Sequence, residues 1–239
     1  LKIGKKKMKK KVEEAIEEIK KGNFILVYDA DGREEETDFF ISAEFVKPES
    51  IYRMRKDGGG LIFIMLRYAE AKKLGLPYLA DVIYKCANKW PVFKELIPND
   101  IPYDTKSSFS LTINHRKTFT GIRDVDRALT ISKFAELVKG IENMSEIEAQ
   151  RIFGENFRSP GHVPICIATK NLLKERRGHT ELGIAVAEMA GVAPVMAGCE
   201  MLDFGESLKK EKAMEYAKKH NFIFLEGWEI VEAWEKWQE

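Results

Sequence analysis

The chain has 239 residues, 44% of them hydrophobic, which is enough apolar side chain for one well-packed core and at most two domains. Its 39 basic and 38 acidic residues nearly cancel, and this sets aside general nucleic-acid and membrane-surface binding, because both draw on surplus positive charge. Cys86, Cys166 and Cys199 stand far apart with no CxxC pair, so neither a zinc ribbon nor a disulfide framework is expected, and the reduced cytoplasm is the natural setting.

The basic start, Leu1 to Lys11, lacks the apolar core of a signal peptide, and no later run is long enough to cross a bilayer. Met8 reads as the native start, with residues 1–8 a disordered extension and 9–239 a single domain. Residues 9–21 predict a helix, with Val12, Ala15, Ile16 and Ile19 on one face and Gly22 as its stop. Phe24 to Tyr28 predicts a buried strand, followed by a charged turn and a second apolar stretch from Phe39. A helix opened by Pro48 runs to the glycines at 58–60, and Leu61 to Leu66 predicts another buried strand. From 68 to 105 the pattern is helical and then irregular, broken by Pro91, Pro98 and Pro102. Ser107 to Asn114 alternates as a half-exposed strand does. Helices follow at 124–139 and 145–153. Strands at 162–169 and 193–200 flank a helix over 180–190. A helix near 208–219, a strand at 222–225 and a helix from 228 close the chain. The fold class expected is α/β (α+β type), a single domain with a mixed central sheet and helices packed on it.

Chemistry gathers at a few places. In Arg33-Glu34-Glu35-Glu36-Thr37-Asp38 an extended backbone projects Glu34, Glu36 and Asp38 to one side. Three carboxylates on one face repel unless a cation neutralises them, and hard oxygen ligands suit Mg²⁺ or Mn²⁺; the alternative is a solvated acidic loop. In Arg176-Arg177-Gly178-His179-Thr180-Glu181, Thr180 is a fitting N-cap for the helix that follows. Free N–H groups there, with two arginines beside them and Gly178 permitting close approach, suit a phosphate. An ordinary capped helix behind a basic loop is the competing reading. Phe157 to Val163 (FRSPGHV) is a Pro-Gly turn carrying His162 into a strand, and a lone histidine there is more often structural. Glu200 ends a buried strand, where a base can be held with a raised pKa or equally sit as a paired surface acid.

Taken together and in this order, YDADGREEETDFFISAEF, the glycine run before LIFIML, SSFSLTIN followed by TGIRDVDRALTI, FRSPGHV, RRGHTELGIAVAEMAGV and CEML resemble the 3,4-dihydroxy-2-butanone-4-phosphate synthases of riboflavin biosynthesis. The likeness runs from about Ala15 to the C-terminus. It implies a lyase that turns D-ribulose 5-phosphate into formate and L-3,4-dihydroxy-2-butanone 4-phosphate, as a homodimer with a shared active site. By that resemblance Glu34 and His179 are metal ligands for a pair of divalent ions, Mg²⁺ or Mn²⁺. Arg33, Glu34, Asp38, Arg176, Arg177, Gly178, His179, Thr180 and Glu200 bind substrate. Asp38, His162 and Glu200 are the catalytic candidates, with Asp38 or a metal-bound water as the base at C3. Nucleic acid and membrane are not expected partners. Two positions depart from the family pattern: Phe63 stands where a cysteine is usual, and Glu35 adds charge to the acidic loop. The rivals are another metal-dependent sugar-phosphate isomerase or aldolase, and a non-catalytic sugar-phosphate-binding paralogue. A fused GTP cyclohydrolase is not expected, since no cysteine-rich zinc motif precedes Glu239.

Overall fold

Strand alternation decides the layering. The computed structural model describes residues 9–97 and 100–239, so the expectations for residues 1–8 and for Pro98 lie outside the described residues. In chain order the elements are α1 (Lys10–Lys20), β1 (Ile25–Tyr28), β2 (Thr37–Ser42), α2 (Pro48–Arg53), β3 (Phe63–Leu66), α3 (Tyr68–Lys73), α4 (Leu79–Cys86), α5 (Val92–Glu95), β4 (Phe109–His115), α6 (Asp124–Gly140), α7 (Glu146–Asn156), β5 (Phe157–Ile167), α8 (His179–Ala190), β6 (Val195–Glu200), α9 (Lys210–His220), β7 (Ile223–Glu226) and α10 (Gly227–Gln238). The seven strands form one mixed sheet in the order β4-β5-β3-β6-β2-β1-β7. Pairs β3–β5 and β1–β7 are parallel and the remaining pairs antiparallel.

Because successive side chains leave a strand on opposite faces, the sheet feeds two cores. Leu26, Phe39, Ile41, Ile64 and Leu66 join Ile51 of α2, Ile131 and Phe134 of α6 and Ala213 of α9 on one side. Ile25, Val27, Phe40, Phe63 and Met65 join Val12 and Ile19 of α1, Leu182 and Val186 of α8 and Trp234 of α10 on the other. The result is a helix–sheet–helix sandwich, the expected fold class. The predicted face of α1 is the buried one, Val12, Ala15, Ile16 and Ile19. Truncating Ile19, which is fully buried, to alanine costs about 2–5 kcal/mol. Nearly every residue of α8 is buried, as befits a helix wedged between α1, α10 and the sheet.

Two local expectations change. The helix opened by Pro48 ends at Arg53 and continues as one π turn, Met54–Gly58, before the glycine run. FRSPGHV is not a turn: it is the first half of β5. Pro and Gly are tolerated there because β4–β5 carries two register shifts that absorb the irregularity, and because Gly161 lies flat on β4. A Cβ at 161 would meet the Ile113 carbonyl carbon at 1.9 Å.

Candidate active site

Sheet register assembles the acids. In the β2–β6 pair Asp38 lies directly opposite Glu200, so both side chains leave the same face of the sheet. On the far side of β6, Phe63 of β3 pairs with Gly198, two residues before Glu200 and therefore on that face too. The N-terminus of α8 closes over this spot and delivers His179. These residues, with Glu34, Glu36, Tyr103, Ser108, Cys166, Arg176 and Thr180, line a cavity of about 140 Å³.

The acidic loop is shaped by Asp29, which directly follows β1. Its carboxylate accepts the N–H of Glu34 (3.0 Å) and of Glu36 (3.1 Å) and a bond from Arg33 Nη1 (3.0 Å). Residues 31–34 form a turn, and Glu35 behind it takes the left-handed conformation (φ 58°). The extended strand expected from Glu34 begins only at Thr37. Glu34, Glu36 and Asp38 nonetheless reach one cavity, by a curled loop rather than by alternation.

His179 is the hub. Its Nδ1 donates to Glu34 Oε2 (3.1 Å), its Nε2 donates to the Glu36 carbonyl (3.2 Å), and Asp38 Oδ1 stands 3.5 Å away. Burial alone would discharge the imidazole, but the carboxylates of Asp38, Glu34 and Asp29 outweigh it and lift its pKa to about 10. Glu34 moves the opposite way: burial would raise it, and the His179 hydrogen bond with the charges of His179, Arg33 and Arg176 holds it near 2. Burial pushes Asp38 well above the usual carboxylate range, and Glu200 also rises for that reason. Glu200 is steadied by the Leu61 N–H, which donates to its Oε2 (2.7 Å).

Beside the acids stands a basic cradle. Arg176 is pinned by Glu181, which is fully buried, through Nη1–Oε2 (2.7 Å), and Glu181 in turn accepts the Thr169 N–H (2.9 Å). Gly178 is the N-cap residue of α8, where Thr180 was expected; Thr180 sits one place inside the helix and its hydroxyl reaches Ser108 (3.5 Å). The reason for the glycine is space: a Cβ at 178 would meet Arg176 Nη1 at 2.4 Å and Arg33 Nη2 at 2.7 Å. Two guanidinium groups therefore converge on the helix end, whose open N–H groups favour an anion.

The donor set suits a hard divalent cation. Both oxygens of Asp38 are buried without a hydrogen-bond partner among the described residues, a costly arrangement unless a cation or a ligand proton answers them. Asp29, Glu34 and His179 each offer one ligand atom within 4.8 Å of the others.

Comparison with known proteins decides the family. Residues 13–233 match the family profile of 3,4-dihydroxy-2-butanone 4-phosphate synthase. The chain belongs to the 3,4-dihydroxy-2-butanone 4-phosphate synthase family. Similar relatives bearing that name come from Archaeoglobus fulgidus, 47% identical over 230 residues (95% of each chain), and Methanothermobacter thermautotrophicus, 46% identical over 225 residues (93% of this chain, 95% of the relative). A crystal structure of a 3,4-dihydroxy-2-butanone 4-phosphate synthase in complex with two magnesium ions shares the fold, with TM-score 0.74, 24% identity and coverage of 94% of this chain and 96% of that one.

Within this synthase-family fold the candidate residues separate into two groups. Glu34, Asp38, Arg176, His179, Thr180 and Glu200 line the cavity, and Arg33 and Gly178 stand at its edge. Arg177 is exposed and does not line it. His162 is also exposed and outside it: on β5, its Nδ1 accepts from Asn114 Nδ2 (3.0 Å), while Asn114 Oδ1 accepts the His162 N–H (2.9 Å). Phe63 fits without crowding because β6 presents Gly198 opposite it, where a Cβ would already meet the ring at 3.0 Å. Glu35, the other departure, takes the Gly32 N–H (2.8 Å) on the outside of the loop.

Several participants are not marked as site residues by the sequence: Asp29, Tyr103, Asp104, Ser108 and Cys166. The signal for Asp29 was present, an acid directly after a buried strand. Asp104 had none; it is a single acid in an irregular stretch.

Proposed function

We propose that this chain converts D-ribulose 5-phosphate into formate and L-3,4-dihydroxy-2-butanone 4-phosphate in riboflavin biosynthesis, with Mg²⁺ or Mn²⁺ bound. The observation that carries the reading is the meeting, in one cavity, of unpartnered Asp38, the His179–Glu34 pair and the Arg176–Thr180 cradle. Glu34 and His179 would hold the metal, with Asp29 in reach, and a pair of ions is the arrangement named for the magnesium-bound relative. A bound divalent ion supplies Lewis acidity toward the ketone and its neighbouring hydroxyl.

The remaining work falls to side chains. Arg176, Thr180 and the open end of α8 hold the phosphate. Asp38, kept basic by burial, takes the proton at C3 to begin the rearrangement. Glu200, steadied by Leu61, is placed to return protons in the later steps that release formate. His162 enters from a second copy. In support, His162 is exposed, and Asn114, which holds it, packs against Gly121 in a loop bearing the exposed apolar side chains Phe119 and Ile122. A homodimer that buries this loop would bring one protomer's His162 to its partner's cavity. We take residues 9–239 as one synthase domain that works in the cytoplasm. Among the described residues no helix is long and apolar enough to cross a membrane, and Cys86, Cys166 and Cys199 are unpaired.

The test is formate release from ribulose 5-phosphate and Mg²⁺, with and without EDTA. Formate that disappears with the chelator is the expected result. Absence of formate, with Phe63→Cys equally silent, would leave a binding paralogue or a different sugar-phosphate reaction.

A further inference from the structure

Arg33 and Arg176 reach the mouth of the cavity from distant parts of the chain, and each has a private anchor. Arg33 Nη1 bonds to Asp29, whose side chain is fully buried, and Arg176 Nη1 to Glu181, equally buried. A third carboxylate serves both. Asp104 Oδ2 accepts from Arg33 Nη2 (3.3 Å) and from Arg176 Nε. Unlike the anchors, Asp104 comes from neither the strand–loop end nor α8. It lies on the irregular stretch between α5 and β4, and its other oxygen takes the neighbouring Thr105 N–H (2.8 Å). Among the carboxylates here only Asp104 bridges both arginines, and it belongs to no helix or strand.

What it separates gives the contact a role. The acidic cavity of about 140 Å³ falls below the roughly 300–1,000 Å³ usual for small-molecule sites. A second cavity of about 380 Å³ adjoins it, sharing Ser108 and Arg176. Its lining includes Thr105, Lys106, Ser107, Thr169 and Lys170, hydroxyl and ammonium groups suited to a phosphate. Tyr103 faces the smaller space, with Arg33 5.6 Å above its ring, and Asp104 faces the larger. The pair Tyr103–Asp104 is the wall between them.

We propose that Asp104 is a stand-in for the substrate's phosphate: in the free protein its carboxylate occupies the shared guanidinium position, and a phosphate binds by displacing it and joining the two cavities. This rests on the reading of Arg176 as the phosphate cradle. The phosphate dianion outcompetes a single carboxylate because it offers more acceptor oxygens and more charge to the same two arginines.

Titration calorimetry with inorganic phosphate tests it. Asp104→Asn and Asp104→Ala are expected to bind phosphate about tenfold more tightly than the parent chain, since the competitor is gone. Unchanged or weaker binding in a variant with the parent's circular dichroism would mean that Asp104 merely positions the arginines, and would overturn the proposal. The parent chain supplies a check free of mutation: saturating phosphate should speed amide hydrogen exchange across Tyr103–Ser107, and slower exchange there would contradict displacement. The formate assay keeps the two readings apart. Formate without tighter phosphate binding in the variants removes the stand-in and leaves the synthase; tighter binding without formate does the reverse.

Discussion

The centre of the sheet and its β4–β5 edge carry candidate groups in opposite ways. At the centre, Asp38 and Glu200 face each other across a regular antiparallel pair, walled by buried strands and by α8. Their positions follow from the same register that packs Phe39 and Phe40 into the two cores. At the edge, His162 stands on a strand with two register shifts, open to solvent and held by one asparagine. The first region stores its strain beforehand, in the buried, unpartnered carboxyl of Asp38. The second is solvated, and in the proposed dimer a partner's surface completes it. Preorganisation is built where the fold can enforce it, and the exposed candidate is left at the rim.

The sharpest way to break this contrast is Asp38→Asn. The account expects a loss of about 10²–10⁴-fold in formate turnover, as for removal of a positioned acid–base group. It also expects unfolding stability in the presence of EDTA to hold or rise, because the carboxyl lost has both oxygens buried without hydrogen-bond partners. A variant that lost stability along with activity would show that the carboxylate is structural. Next in size is His162→Ser, for which a fall of about 10²-fold is expected with stability within about 0.5 kcal/mol of the parent, since the ring is exposed. Denaturant melts beside initial rates would separate the two effects. Gly60→Ala probes the centre indirectly: a Cβ there would meet Glu200 Oε2 at 2.4 Å, and must turn that carboxylate away from the Leu61 N–H. Turnover should drop about 10-fold or more, the scale for disturbing a supporting contact, while Mg²⁺ affinity holds.

The smallest effect belongs to the edge. Asp126 accepts from Arg123 Nε (2.9 Å) and from the N–H groups of Phe119, Thr120 and Gly121, and so folds the loop that backs Asn114. The Arg123 hydrogen bond, with those N–H groups, overcomes burial and holds its carboxyl well below the usual range. A lowered native pKa means that this stabilisation is complete above the unfolded value, about 3.9, and fades as pH falls below it toward the native one. Asp126→Asn should therefore cost about 2 kcal/mol at pH 7 and progressively less as pH falls below about 4. A cost independent of pH would show that shape, not charge, folds the loop.

How far the sequence could be read follows the same divide. FILVY, LIFIML and PVMAGC announce strands buried on both faces, and the spacing of Val12, Ala15, Ile16 and Ile19 announces α1; local pattern suffices where one core face decides the structure. FRSPGHV was misread because Pro160 and Gly161 carry turn chemistry, whereas the bulged pairing with β4 that accommodates them is long-range. In the site, Glu34, Asp38, His179 and Glu200 stood out as residues, but the pairing of Asp38 with Glu200 depends on strand order, which periodicity does not encode. Asp104 meets Arg33 and Arg176 only after a long excursion of chain returns to the sheet, so no local pattern marks it. Thr180 illustrates the smallest error: the helix begins one residue earlier, at His179, with Gly178 as its N-cap.

The central claim is that the buried centre and the exposed edge form one site only across two copies of the chain. Mixing Glu34→Ala chains with His162→Ser chains after mild dissociation tests it most directly. Random pairing in a two-fold dimer leaves one intact site in each mixed pair, so about a quarter of the parent formate activity should return from two inactive parents. A mixture as silent as its components, with exchange of chains verified by mass, would contradict the account and assign His162 to its own protomer's site.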